Sequence, residues 1–104
     1  MDFQDLMTFM NHAQDDARVT PLHISLYLVL FREALVKNAN TVSFSRPAIM
    51  QAAKISSNAT YHKCIRELHD FGYLQYIPSH HPVLGSLVFL KDFDNKERGN
   101  PKRT

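Results

Sequence analysis

The residues able to do chemistry crowd into one stretch, Ile55 to Gly72 (ISSNATYHKCIRELHDFG). His62, Lys63, Arg66 and Asp70, with Ala59 ahead of them, fall on one side of a helical pattern. Tyr61, Cys64, Ile65, Leu68 and Phe71 recur at helical spacing on the other side and make an apolar back. Ser56 or Ser57 can cap the first turn, and Gly72 supplies the left-handed stop. An apolar back, a small polar N-terminus and a basic outer face suit the DNA major groove. Ser57, Asn58 and Thr60 stand at the start of this helix, where hydroxyls and helix N–H groups can bind phosphate or base edges. His62, Lys63 and Arg66 are spaced to reach bases or the far strand, and Arg46 could bind backbone phosphate from the start of the preceding helix. The plain alternative is an amphipathic surface helix, with Lys63 and Arg66 solvated and Asn58 only a cap.

Other chemistries find little support. A metal site needs convergent ligands, but His80 and His81 are adjacent and no Cys/His pair has finger-type spacing. His62 and His69 are seven apart, two turns along a helix. Cys64 lies on the apolar stripe, where a small buried hydrophobe is the default and a nucleophile is not. Three glycines leave little room for a phosphate-binding loop. The expectation is no enzyme, no metal or other cofactor, and no evident small-molecule ligand.

Several elements must hold this helix in place. Met1 to Ala17 reads as an amphipathic helix with Phe3, Leu6, Met7, Met10 and Ala13 or Gln14 on its main stripe. Asp2 and Asp5 favour its N-terminus through the helix dipole. Phe9 falls off the main stripe, so the apolar face is broad. Either the rest of the domain or a second copy of the chain covers it. Thr20-Pro21 is a capping threonine followed by proline at the first helical position. The helix it opens runs to about Lys37 and is apolar on more than one side, as a central core helix would be. His23 falls in its first turn as a surface or packing histidine. Thr41 to Phe44 alternates as a short strand with Val42 and Phe44 inward. Ser45-Arg46-Pro47 opens a short helix carrying Ile49, Ala52 and Ala53. Tyr73 to Ile77 and Leu87 to Leu90 read as two strands of a hairpin with a long loop between them.

Composition sets the frame. A chain of 104 residues with 44% hydrophobic content supports one domain with one core. The net charge is only +2, but its distribution is uneven. The first twenty residues sum to −3, whereas between Ala34 and Arg66 there are five basic residues and no acidic one. The single cysteine rules out an intrachain disulfide. No signal peptide is evident, and the longest apolar run, Leu26 to Phe31, is too short to span a bilayer. The expectation is a soluble cytoplasmic protein without membrane contact.

The run from Arg46 to Leu74 resembles the helix-turn-helix of winged-helix regulators. The shared features are a small Ala-rich helix ending Ala52-Ala53-Lys54-Ile55, a Ser-initiated helix, and the closing pattern Ile65-x-x-Leu68-x-x-Phe71-Gly72-Tyr73-Leu74. Thr60 through Cys64, Pro78-Ser79 and Gly85-Ser86 also resemble small bacterial winged-helix proteins of mobile or plasmid-like elements. These are similar in turn to the DNA-binding part of replication initiators. The resemblance covers roughly residues 20–92 and implies an α+β, mostly helical fold, a winged helix-turn-helix; the apolar pattern over 1–19 adds a helix ahead of it, and the charged composition over 93–104 predicts a poorly ordered tail. The resemblance puts Ser79, His80 and His81 at a wing tip, where minor-groove or phosphate contacts are made; a solvated loop is the alternative there. The function it implies is sequence-specific binding of double-stranded DNA, as a transcriptional regulator of a mobile or plasmid-like element, and the broad apolar face of the first helix adds the expectation of a homodimer. The other class to weigh is a winged-helix protein-interaction module, as used in replication initiation or assembly.

Overall fold

Helix caps set the positions of the elements. In the structure, a computed structural model that describes residues 1–78 and 86–91, Thr20 caps α2 (Pro21–Lys37) and Pro21 occupies its first position. Asp2 caps α1 (Phe3–Gln14) through a reciprocal box, its carboxylate accepting from the Asp5 N–H while the Asp5 carboxylate accepts from the Asp2 N–H. Thus Asp2 and Asp5 act through hydrogen bonds as well as through the dipole. β1 (Thr41–Phe44) follows, then α3 (Arg46–Ala53), α4 (Asn58–Asp70), β2 (Leu74–Ile77) and β3 (Ser86–Leu90). The fold is α+β, with four helices and one small antiparallel sheet among the described residues, in the strand order β1-β3-β2. Val42 pairs with Val88 and Tyr76 pairs with Val88 from the other side, so β3 is the central strand. No helix among the described residues is long and apolar enough to cross a membrane. Ser79, His80, His81 and the 93–104 tail lie outside the described residues.

The core is built on α2. Leu26, Tyr27, Leu30, Phe31 and Ala34 are buried, and α3, α4 and β1 close around them through Ile49, Met50, Ala53, Tyr61, Ile65, Leu68 and Val42. Val42 and Phe44 point inward, as their alternation requires. The face of α3 differs from expectation. Met50 is buried and Ala52 is exposed, because the helix presents its 49–50–53 edge to α2. The close approach is made by Ala53, whose carbonyl accepts a 2.6 Å bond from Ser25 of α2.

The largest correction concerns α1. Phe9, set apart from the main stripe in the sequence, is its anchor: it is 0% exposed and stacks on Tyr27 at 3.6 Å between centroids, with Tyr73 edge-on at 5.4 Å. Phe3, placed on that stripe, is 72% exposed, and Met7 is exposed too. The buried edge of α1 runs through Phe9 and Ala13, with Leu6 and Met10 at its flank. A polar latch completes the attachment. Asp16, just after α1, accepts from the Tyr73 hydroxyl at 2.7 Å and pairs with Arg18, whose guanidinium lies 4.3 Å over the Phe71 ring. These contacts tie the α1–α2 connection to the junction of α4 and β2.

The Arg18 and Tyr73 bonds hold the Asp16 carboxyl well below its ordinary 3.8. A carboxylate with a depressed folded-state pKa contributes stability above the unfolded value and loses it as pH falls through the folded one. Asp16→Asn is therefore expected to lower the melting temperature at neutral pH, with the gap to wild type closing as pH drops below about 4. Thermal melts of both proteins across that range give the comparison.

Candidate nucleic-acid interface

α4 begins where a hydroxyl can cap it. The Ser57 side chain accepts from the Thr60 N–H, and Asn58 is the first helical residue. Tyr61, Cys64, Ile65 and Leu68 are buried against the core, as the periodicity requires. Phe71 follows as the half-buried cap, and Gly72 takes φ +92, a left-handed conformation that side chains disfavour. The opposite side of the helix carries exposed Asn58, Ala59, Lys63, Arg66 and Asp70. Asn58, His62, Lys63 and Arg66 are thus brought to one outward face.

Three expected site residues are already engaged in the fold. Ser57 is committed to its cap. Thr60 is half-buried on the flank of α4. His62 lies back along the helix, its Nδ1 2.9 Å from the Asn58 carbonyl oxygen. A carbonyl only accepts, so this contact selects the Nδ1–H form and leaves Nε2 as an acceptor. That acceptor suits the exocyclic amino groups of cytosine or adenine.

The cations of this surface have no ion-pair partner among the described residues. The ion pairs among the described residues use the N-terminus, Arg18 and Arg32, and His23 hydrogen-bonds to Glu67. Arg46, Lys54, Lys63 and Arg66 are all exposed and belong to none of them. Arg46 occupies the first position of α3, as expected, ahead of Pro47. Lys54, which sequence reasoning left out of the site, terminates α3. The sequence held one clue to it: a short helix must stop before Ser57 with no glycine available.

Two further polar residues of this region serve the fold. His23 is 3% exposed and belongs to a capping box: its Nδ1 accepts from the Thr20 N–H, which leaves Nε2–H to donate to Glu67 of α4 at 2.9 Å. His69 Nδ1 accepts from the Tyr76 N–H on the outer edge of β2. The buried His23 ring is closed to DNA in this arrangement, and His69 has one of its two ring nitrogens engaged. Burial pushes the Cys64 thiol up to about 11, so it is protonated at neutral pH and no nucleophile.

The Tyr61 hydroxyl is buried without a hydrogen-bond partner among the described residues. Burial also pushes its phenol well above the ordinary value. An unsatisfied buried hydroxyl costs about 1–3 kcal/mol. Tyr61→Phe is expected to raise stability by about 1 kcal/mol in denaturant titration, with no change in the outward face of α4.

No protein-family model matches the chain, and no curated relative or solved structure matches it either. The functional reading therefore rests on the α3–α4 surface itself.

Proposed function

We propose that the chain is a winged helix-turn-helix protein that binds double-stranded DNA in a sequence-specific manner, with α4 in the major groove. One observation carries this reading. Arg46, Lys54, Lys63 and Arg66 gather on α3 and α4, exposed and without an ion-pair partner among the described residues, while four of the seven described acidic residues lie at α1 and its connection to α2 and only Glu67 and Asp70 share α4. Asn58 and His62 add base-reading groups to the same face. The β2–β3 hairpin corresponds to the wing. The role that fits is a small cytoplasmic transcriptional regulator of a mobile or plasmid-like element, acting through occupancy of its site. Duplex selected from a random pool should bind with affinity that falls steeply as salt rises. Affinity unchanged by salt would remove the reading.

The regulator is proposed to act as a homodimer, since two-fold symmetric proteins read paired half-sites. The motive is the apolar surface left after Phe9 and Ala13 enter the core, led by Phe3 and Met7. Light scattering at micromolar concentration is expected to give twice the chain mass, and a monomer across that range would exclude it.

A second reading, a protein-interaction module, draws on exposed apolar residues of α2: Val36 is 77% exposed, with Leu28 and Leu35 also open. A partner held there would bind with weak salt dependence, which separates the two readings.

A further inference from the structure

Three helices end on left-handed residues, and the chain handles one of them differently. α2 ends on Asn38 at φ 53, and α4 is followed by Gly72 at φ 92. Both residue types tolerate this conformation. α3 ends on Lys54 at φ 65, a residue with no such tolerance. The geometry itself is regular. The Ile55 N–H donates to the Met50 carbonyl at 2.9 Å and the Lys54 N–H to that of Gln51 at 3.2 Å, with Ile55 and Met50 both buried. Glycine would make the same turn at lower cost, so the backbone does not call for lysine here. The core does not call for it either, because the side chain is exposed and in no hydrogen bond or ion pair to a described residue. What the lysine adds is a positive charge, carried from a backbone position three residues before the cap of α4.

Arg46 provides the counterpart. It stands at the first position of α3, Lys54 at its end, and the helix between has eight residues. At 1.5 Å per residue α3 is about 12 Å long, which is about the width of the B-DNA major groove. The carbonyl of Ala53 is held by Ser25, so the end of α3 that carries Lys54 is fixed to α2. We propose that Arg46 and Lys54 bind phosphates on opposite DNA strands, clamping the major groove that the N-terminus of α4 enters. This rests on the DNA-binding reading and adds to it the residue that holds the second strand. The two contacts would set the depth and register of α4, leaving Asn58, His62, Lys63 and Arg66 to face the bases.

The test uses Lys54→Gly, Lys54→Arg and Arg46→Ala in the full chain, on a duplex selected with wild-type protein. Lys54→Gly should raise the melting temperature by about 4 °C or more, since it relieves the left-handed lysine. It should also weaken binding to selected and scrambled duplex alike and flatten the slope of log affinity against log salt by about 0.9, the amount for one phosphate. That slope change means its loss of affinity between 50 and 200 mM salt is smaller than that of wild type by roughly 3.5-fold. Lys54→Arg should keep the wild-type slope. Single neutral methylphosphonates placed along each strand should cancel the Lys54→Gly deficit on one strand and the Arg46→Ala deficit on the other. Lys54→Gly binding with wild-type affinity and slope, or both deficits mapping to one strand, overturns the clamp while DNA binding stands. Wild-type protein without salt-dependent duplex binding overturns both together.

Discussion

Phe9→Ala is expected to destabilise the chain by about 3–5 kcal/mol, the largest effect of any substitution considered for α1. The ring is fully buried, stacked on Tyr27 and edge-on to Tyr73. Its removal leaves a cavity where α1, α2 and the start of β2 meet. A domain of this size is stable by about 5–15 kcal/mol, so the loss is a large part of the whole. Phe3→Ala on the same helix should stay within about 0.5 kcal/mol, because Phe3 is largely in water. Urea titrations of the two variants decide between α1 as part of the core and α1 as a loose appendage. Equal, small losses would mean that α1 is not anchored as described. A change in oligomeric state in Phe3→Ala alone would place the dimer contact on the outer side of α1.

The second large effect is expected on the outward face of α4. Lys63→Ala and Arg66→Ala should cost about 0.5 kcal/mol of stability or less, since both side chains are exposed and belong to no ion pair among the described residues. A base contact is worth roughly 1–3 kcal/mol of discrimination, so binding to the selected duplex should fall about 5- to 150-fold. The scrambled duplex separates the roles. A residue reading a base loses more on the selected site, whereas one holding phosphate loses similarly on both. Lys63 and Arg66 are one turn apart, so the double variant is expected to depart from simple additivity. Wild-type binding by both variants and by Arg46→Ala would take this face away from DNA and favour the protein-interaction reading.

Much of the fold was legible because it follows from local signals. Thr20-Pro21 and Gly72 act within one turn of chain and lie where the pattern put them, and Ser57 is the one of two candidate serines that caps α4. The Tyr61-Cys64-Ile65-Leu68 stripe and the inward Val42 and Phe44 are simple periodicities read correctly. The face of α1 was not legible in this way. Phe3, Leu6, Met7, Phe9 and Met10 surround so much of the helix that spacing alone permits several buried edges. The choice was made by Tyr27 and Tyr73, aromatic partners distant in sequence. Met50 against Ala52 on α3 was settled likewise by the position of α2. Within the candidate site, the outward placement of Asn58, Lys63 and Arg66 was readable from helical phase. The engagement of His62 with the Asn58 carbonyl and of His23 with Glu67 was not, because each depends on side-chain conformation or on a contact between helices. Lys54 was missed because the glycine-free stop before Ser57 marks a turn without marking which residue takes the left-handed angles.

Selection from a random duplex pool, with enrichment measured by sequencing, tests the central claim most directly. The DNA-binding reading predicts one enriched motif. A dimer would arrange it as an inverted repeat with half-sites about one helical turn apart. Enrichment should vanish when Lys63 and Arg66 are both replaced by alanine, with the fold intact by its melting curve. A pool that remains random after repeated rounds with folded wild-type chain would contradict sequence-specific recognition of DNA.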